Sequence, residues 1–274
     1  NIPGTGCSGG GGLAGIALDS LHNLYVSDIT ECSDFATWVR VYPPGASGNT
    51  TFTREIGGDF RGNSGQIFGP QALAIDRSGI LYVTNDNSSP FSTVTVYANG
   101  ASTPMRKISG SNTGFGTNNL AGVALNMSGD LAVVVTNPNS CTPQTVRVFA
   151  PGANGNATPT RTLAAGLCID PRGDAFDSSG NLYVASFNNN AIFIYSPSVP
   201  SGGAPTNKIT GSLTQLSNPV GIVFDKKGDL FVANQGTNTI TEYAPGATGN
   251  AAPMTTISGS NTLLNVPSYL AIGP

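Results

Sequence analysis

The chain has 274 residues, 39% of them apolar and only 10% Asp, Glu, Lys or Arg, with a formal net charge of −3. So few charges exclude long solvated helices and coiled coils, and the apolar share excludes a disordered chain, which combines low hydrophobicity with high net charge. The mild acidity excludes the clustered Lys and Arg that phosphate binding needs, and with it nucleic acid as a partner. The longest apolar run, Leu131 to Val135, is too short for a helical membrane span.

The opening residues Asn1-Ile2-Pro3 carry neither a basic nor an apolar signal-type stretch, so a targeting peptide is expected to have been removed or never included. Residues 1–4 resemble Ile108-Ser109-Gly110, which predicts a terminal strand there. A phrase then begins, Leu13-Ala14-Gly15-Ile16-Ala17-Leu18-Asp19, followed after a short turn by Asn23-Leu24-Tyr25-Val26. It returns at Pro70 to Val83, Leu120 to Val135, Pro171 to Val184 and Pro219 to Val232, and its first half alone at Pro267 to Gly273. The marker positions Ala14, Gln71, Ala121, Arg172, Val220 and Ser268 lie 48 to 57 residues apart, a period without helical pattern that belongs to propeller blades.

Within each period four short runs alternate with Gly, Pro, Asn and Ser, as four antiparallel strands a to d require. In the first repeat these are Gly15 to Asp19, Leu24 to Ser27, Val39 to Tyr42 and Thr53 to Ile56. Between strands a and b stand Asp76-Arg77-Ser78-Gly79, Asp177-Ser178-Ser179-Gly180 and Asp225-Lys226-Lys227-Gly228, where Asp bonds its own turn and Gly supplies positive φ. Between c and d come Pro44 to Asn49, Pro151 to Asn156 and Pro245 to Asn250. Strand d holds Arg54, Arg106, Lys107, Arg161 and Lys208, read as charges that guard an outer sheet edge. The expectation is an all-β chain in a single domain, 1–274: a β-propeller of four-stranded antiparallel blades. Full repeats fall near 13–58, 70–110, 120–166, 171–211 and 219–259, and terminal strands 1–4 and 267–273 favour a six-bladed plan.

The wording Pro219-Val220-Gly221-Ile222-Val223-Phe224-Asp225 followed by Gly228-Asp229-Leu230-Phe231-Val232-Ala233-Asn234 resembles the NHL repeat over about residues 1 to 273. The resemblance implies a propeller of the group that includes gluconolactonase-like and lyase-like members, which bind proteins or RNA or carry a central metal. It implies function weakly, since one fold hosts many sites. The lyase-type relatives use several histidines, whereas this chain has only His22, in an a-to-b turn.

The d-to-a and b-to-c connections share one end of such blades, and the candidate residues gather there. Cys7 precedes strand a of the first repeat and Cys32 lies in its b-to-c connection, while Cys141 and Cys168 sit on neighbouring repeats, which suggests the disulfides Cys7–Cys32 and Cys141–Cys168 and an extracellular or periplasmic setting. A zinc site from all four thiolates lacks the usual paired spacing. Asp28, Asn85, Asn137, Asp174 and Asn234 end or interrupt strands where oxygen ligands could hold a Ca²⁺-like cation; the alternative is that they cap strand ends. In Asp170-Pro171-Arg172-Gly173-Asp174, an acid replaces the apolar residue found at Ile16, Leu73, Val123 and Ile222, so Arg172 is expected to pair with Asp170 or Asp174. That pair is either structural or a substrate anchor. Gln71, Trp38 and Phe35 complete the candidate ligand-binding set, the aromatics as stacking surfaces. With no well-placed general base or nucleophile motif, the leading function is a secreted binding or scaffolding module with a protein or glycan partner. The alternatives are a metal-dependent lactonase-like hydrolase and a surface or filament subunit that associates through an open terminal blade.

Overall fold

The computed structural model describes residues 12–29, 37–58, 67, 69–86, 91–137, 144–164 and 170–273. Its strands form five four-stranded antiparallel sheets, each a meander in which sequential strands are neighbours. The first blade contains β1 (Gly12–Leu18), β2 (Leu24–Ile29), β3 (Thr37–Tyr42) and β4 (Arg54–Gly58), and the second β5 (Pro70–Ile75), β6 (Leu81–Asn85), β7 (Thr93–Tyr97) and β8 (Arg106–Ile108). The third has β9 (Asn119–Leu125), β10 (Leu131–Thr136), β11 (Thr145–Phe149) and β12 (Arg161–Ala164), and the fourth β13 (Pro171–Phe176), β14 (Leu182–Ser186), β15 (Ala191–Tyr195) and β16 (Asn207–Ile209). The fifth has β17 (Pro219–Phe224), β18 (Leu230–Asn234), β19 (Thr239–Tyr243) and β20 (Thr255–Ile257). Among the described residues no helix is long and apolar enough to cross a membrane.

The six-bladed expectation is therefore corrected to five blades. Residues 267–273 form no strand, because a lone strand a without b and c partners has no ladder to join. The predicted strand 1–4 lies outside the described residues. The chain divides into two compact units, 1–120 with 153–157 and 273–274, and 121–152 with 158–272.

The b strands of the second, third and fourth blades, β6, β10 and β14, are buried along their whole length, because apolar side chains on both faces meet neighbours. In the first unit Val39, Val41 and Ile56 pack with Leu73, Leu81 and Val83; in the second, Val134, Val146 and Leu163 pack with Leu182 and Val184, and Ile192 and Ile209 with Ile222 and Val232. Each such side chain contributes roughly 1.5–3 kcal/mol on burial. The turn aspartates act as expected. Asp76 Oδ1 accepts the N–H groups of Ser78 and Ile80, and Asp177 and Asp225 repeat the pattern.

Two features of the blade seams were not foreseen. First, the strand-d arginines are ties to the next blade as well as edge charges. Arg106 reaches the carbonyl of Ala153, and Arg161 that of Pro197 at 3.0 Å. Secondly, inner strands approach so closely that a Cβ on Gly173 would overlap the Val220 carbonyl oxygen, and one on Gly221 that of Ser268. Gly15 meets Gln71 in the same way, whereas the second blade carries Ala72 at this place.

The residue before each of four proline-led inner segments is left-handed: Gly69, Asp170, Asn218 and Val266, with φ of 60°, 45°, 47° and 49°. Gly, Asp and Asn tolerate this conformation, but a β-branched valine does not. Val266 is 54% exposed and has little packing to lose. Val266→Gly is expected to stabilise the protein by about 1 kcal/mol, read from denaturant unfolding.

Candidate binding site

The second unit brings together the atypical stretch around Arg172. β13 pairs with β14 so that Asp174 faces Val184, with a bulge after Pro171, the register that pairs Leu73 with Val83 and Ile222 with Val232. Asp174 thus occupies an apolar core position. It is 8% exposed, and neither carboxylate oxygen has a hydrogen-bond partner from another residue. Burial pushes its carboxyl well above the usual carboxylate range, which favours the protonated, neutral form.

Arg172 pairs with Asp170, not with Asp174. Its Nη2 donates to Asp170 Oδ2 at 2.7 Å, and its guanidinium carbon lies 5.1 Å from the centre of the Phe187 ring. Asp170 is itself fixed. Its N–H donates to Gln144 Oε1 at 3.0 Å, its Oδ1 accepts from the Thr136 hydroxyl at 3.3 Å, and its carbonyl accepts the Phe187 N–H at 3.2 Å. The Arg172 side chain remains 37% exposed, while its Nε is buried without a partner. The site is a guanidinium held from one side by a carboxylate and across its face by an aromatic ring, with part of its fork open. Sequence reasoning missed Gln144 and Thr136, whose positions carry no repeat signal.

The other candidates are drawn into local roles. In the second unit the Asn234 amide donates to Thr241 Oγ1, and its Oδ1 accepts the Ser217 N–H. The Asn137 carbonyl accepts from the Gln144 amide at 3.5 Å. In the first unit the Asn85 amide donates to Thr95 Oγ1 at 3.0 Å and to the Val83 carbonyl. Asp28 accepts from Arg40 at 3.0 Å, and Arg40 also bonds Glu55 at 2.9 Å. Trp38 is half-buried opposite Gly57. The Gln71 side chain hydrogen-bonds Asp86, whose Oδ1 also accepts the Leu120 N–H at 2.6 Å; burial raises the Asp86 carboxyl to about 7. Among the described residues no group of three or more His, Cys, Asp or Glu could hold a metal ion. Phe35, Cys7, Cys32, Cys141 and Cys168 lie outside the described residues.

No protein-family model matches the chain, and no curated protein matches it in sequence. Solved structures do resemble it. A protein of unknown function from Bacteroides caccae aligns with a TM-score of 0.68 and 12% identity over 96% of this chain and 87% of that one. A protein from Lactobacillus plantarum aligns at 0.60 and 18% identity over 90% and 71%. The WD40 β-propeller domain of Doa1 aligns at 0.60 and 12% identity over 91% and 70%. At these identities the likeness shows the fold, a β-propeller, and nothing finer.

Proposed function

We propose that this β-propeller is an NHL-type binding module that recognises a carboxylate-bearing protein or glycan ligand through Arg172. The observation that carries the reading is the partly exposed guanidinium, pre-positioned by Asp170 and Phe187. Such a planar fork suits a carboxylate, and ordering it in advance reduces the entropy lost on binding. The extracellular or periplasmic setting and the two disulfides are supported by the cysteine positions in the sequence.

The test is a calorimetric screen of acidic and neutral oligosaccharides and peptides. Acidic probes are expected to bind, and Arg172→Ala to weaken them at least tenfold, while Arg77→Ala, in an exposed a-to-b turn, leaves them unchanged. Repeating the titrations with EDTA and with Ca²⁺ separates direct pairing from a bridging cation. Neutral probes binding as well as acidic ones, or equal losses in both variants, would overturn the reading.

A further inference from the structure

Three charged groups stand in a row on the seam between the third and fourth blades, all inside the second unit. Asp170 accepts from Thr136 at the end of β10 and donates its N–H to Gln144, just before β11. Asp174 lies further along the seam, because the place that a Cβ on Gly122 of β9 would fill is 2.6 Å from Asp174 Oδ1 and 2.9 Å from a methyl carbon of Val134 on β10. Thr136 and Val134 are two residues apart, so the two acids stand at levels about 7 Å apart along that strand. Arg172 is attached between them, and its side chain already reaches toward the third blade to meet Asp170 Oδ2 at 2.7 Å.

The row is only half satisfied. Arg172 Nε is a buried donor without a partner, and both Asp174 carboxyl oxygens are buried without a partner from another residue. A donor and an acceptor orphaned two residues apart on one strand are costly to keep separate. Their separation has a cause in charge. Burial favours the protonated form of Asp174, and a neutral acid attracts a guanidinium less than a carboxylate does, so Arg172 stays with Asp170. Once ionised, Asp174 becomes an unpaired charge at an apolar position, the costliest state of such a group. Its surroundings offer one cation. β9, β10 and β17 carry no titratable side chain, and Tyr183, the one on β14, stands opposite Ala175 and packs with Ile222 on the other face. The charged groups that face Asp174 are thus Arg172 and Asp170 of its own segment.

We infer that Asp174 is a second, inward partner for Arg172: when the Asp174 carboxyl ionises, the guanidinium leaves Asp170, pairs with Asp174 through Nε, and withdraws its fork from the binding site. Asp170 keeps its bonds to Thr136 and Gln144, so the Arg172 side chain alone has to move. The consequence for recognition rests on the reading of Arg172 as the ligand anchor. A bound carboxylate holds Arg172 outward and thereby favours protonated Asp174, so binding takes up a proton and weakens as pH rises.

Two measurements test the movement and its consequence separately. The first needs no ligand: the arginine Nε–H resonance that is absent from Arg172→Lys is followed by NMR as the pH is raised. It is expected to move downfield and to exchange more slowly with water in one step, as its unpartnered hydrogen gains an acceptor, and to show no step in Asp174→Val or Asp174→Asn. The second is calorimetry with oligogalacturonate, whose affinity is expected to fall by up to about tenfold per pH unit through that step, the limit for one linked proton, and to lose this dependence in both variants. No step at any pH at which circular dichroism shows the protein folded, or a step that survives in both variants, would overturn the inference. Affinity that stays constant through the step would overturn the closing of the site. If oligogalacturonate binds at no pH, the ligand reading fails instead, and the resonance alone decides the inference.

Discussion

Replacing Asp174 with valine is expected to stabilise the protein by about 2–4 kcal/mol at pH 7, because it removes a buried carboxyl without partners from an apolar position. Valine has nearly the same shape, suits a strand, and already stands at the equivalent Val123. The effect depends on pH with a definite sign. The folded state keeps the Asp174 proton above the pH at which the unfolded chain, with an ordinary carboxyl near 3.8, releases it. Stability therefore falls as pH rises from about 4, by at most about 1.4 kcal/mol per unit, until the folded carboxyl also ionises. Asp86 acts in the same direction, but its window closes near pH 7, where its folded carboxyl titrates. Urea unfolding at a series of pH values from 4 upward should thus show a slope that Asp174→Val reduces, with the Asp86 part remaining up to about pH 7. An unchanged slope in the variant would contradict the neutral, unpaired state of Asp174.

Gly173→Ala is expected to destabilise the protein by about 3 kcal/mol or more, since its Cβ would overlap the Val220 carbonyl of a strand anchored on its other side by β18. Gly221→Ala makes the same overlap with Ser268, in a segment that forms no strand among the described residues and can shift, so its cost is expected nearer about 1 kcal/mol. Thermal and urea unfolding of the two variants side by side measure the difference. Equal losses would show that residues 267–270 are held as firmly as β17.

The strand pattern was legible because each blade is local. Its four runs, its Asp-Gly turns and its Pro-Gly loops are set by hydrophobic alternation and turn chemistry within about fifty residues. The atypical Arg172 and Asp174 were also visible, as departures from a repeated position. Their partners were not. A two-residue spacing allowed Arg172 to pair with either neighbouring acid, and the bulge after Pro171 together with the Gln144 and Thr136 bonds to Asp170 selected one. Candidate metal ligands such as Asn85 and Asn234 share a strand-end signal with ordinary capping residues, and the hydrogen bonds of their amides to Thr95 and Thr241 are set by cross-strand register that the signal does not carry.

The sequence by itself determined a repeated all-β chain, its five full blades and the places where the pattern breaks. The tertiary structure decided that residues 267–273 form no strand, that Asp174 is without a hydrogen-bond partner at an apolar position, and that the loop after β11 bridges the outer strand β8. These depend on which surfaces meet across blades. Such contacts join residues some forty to fifty positions apart through backbone groups, such as Gly155 on Ile108, that every residue carries and that leave no mark in side-chain periodicity.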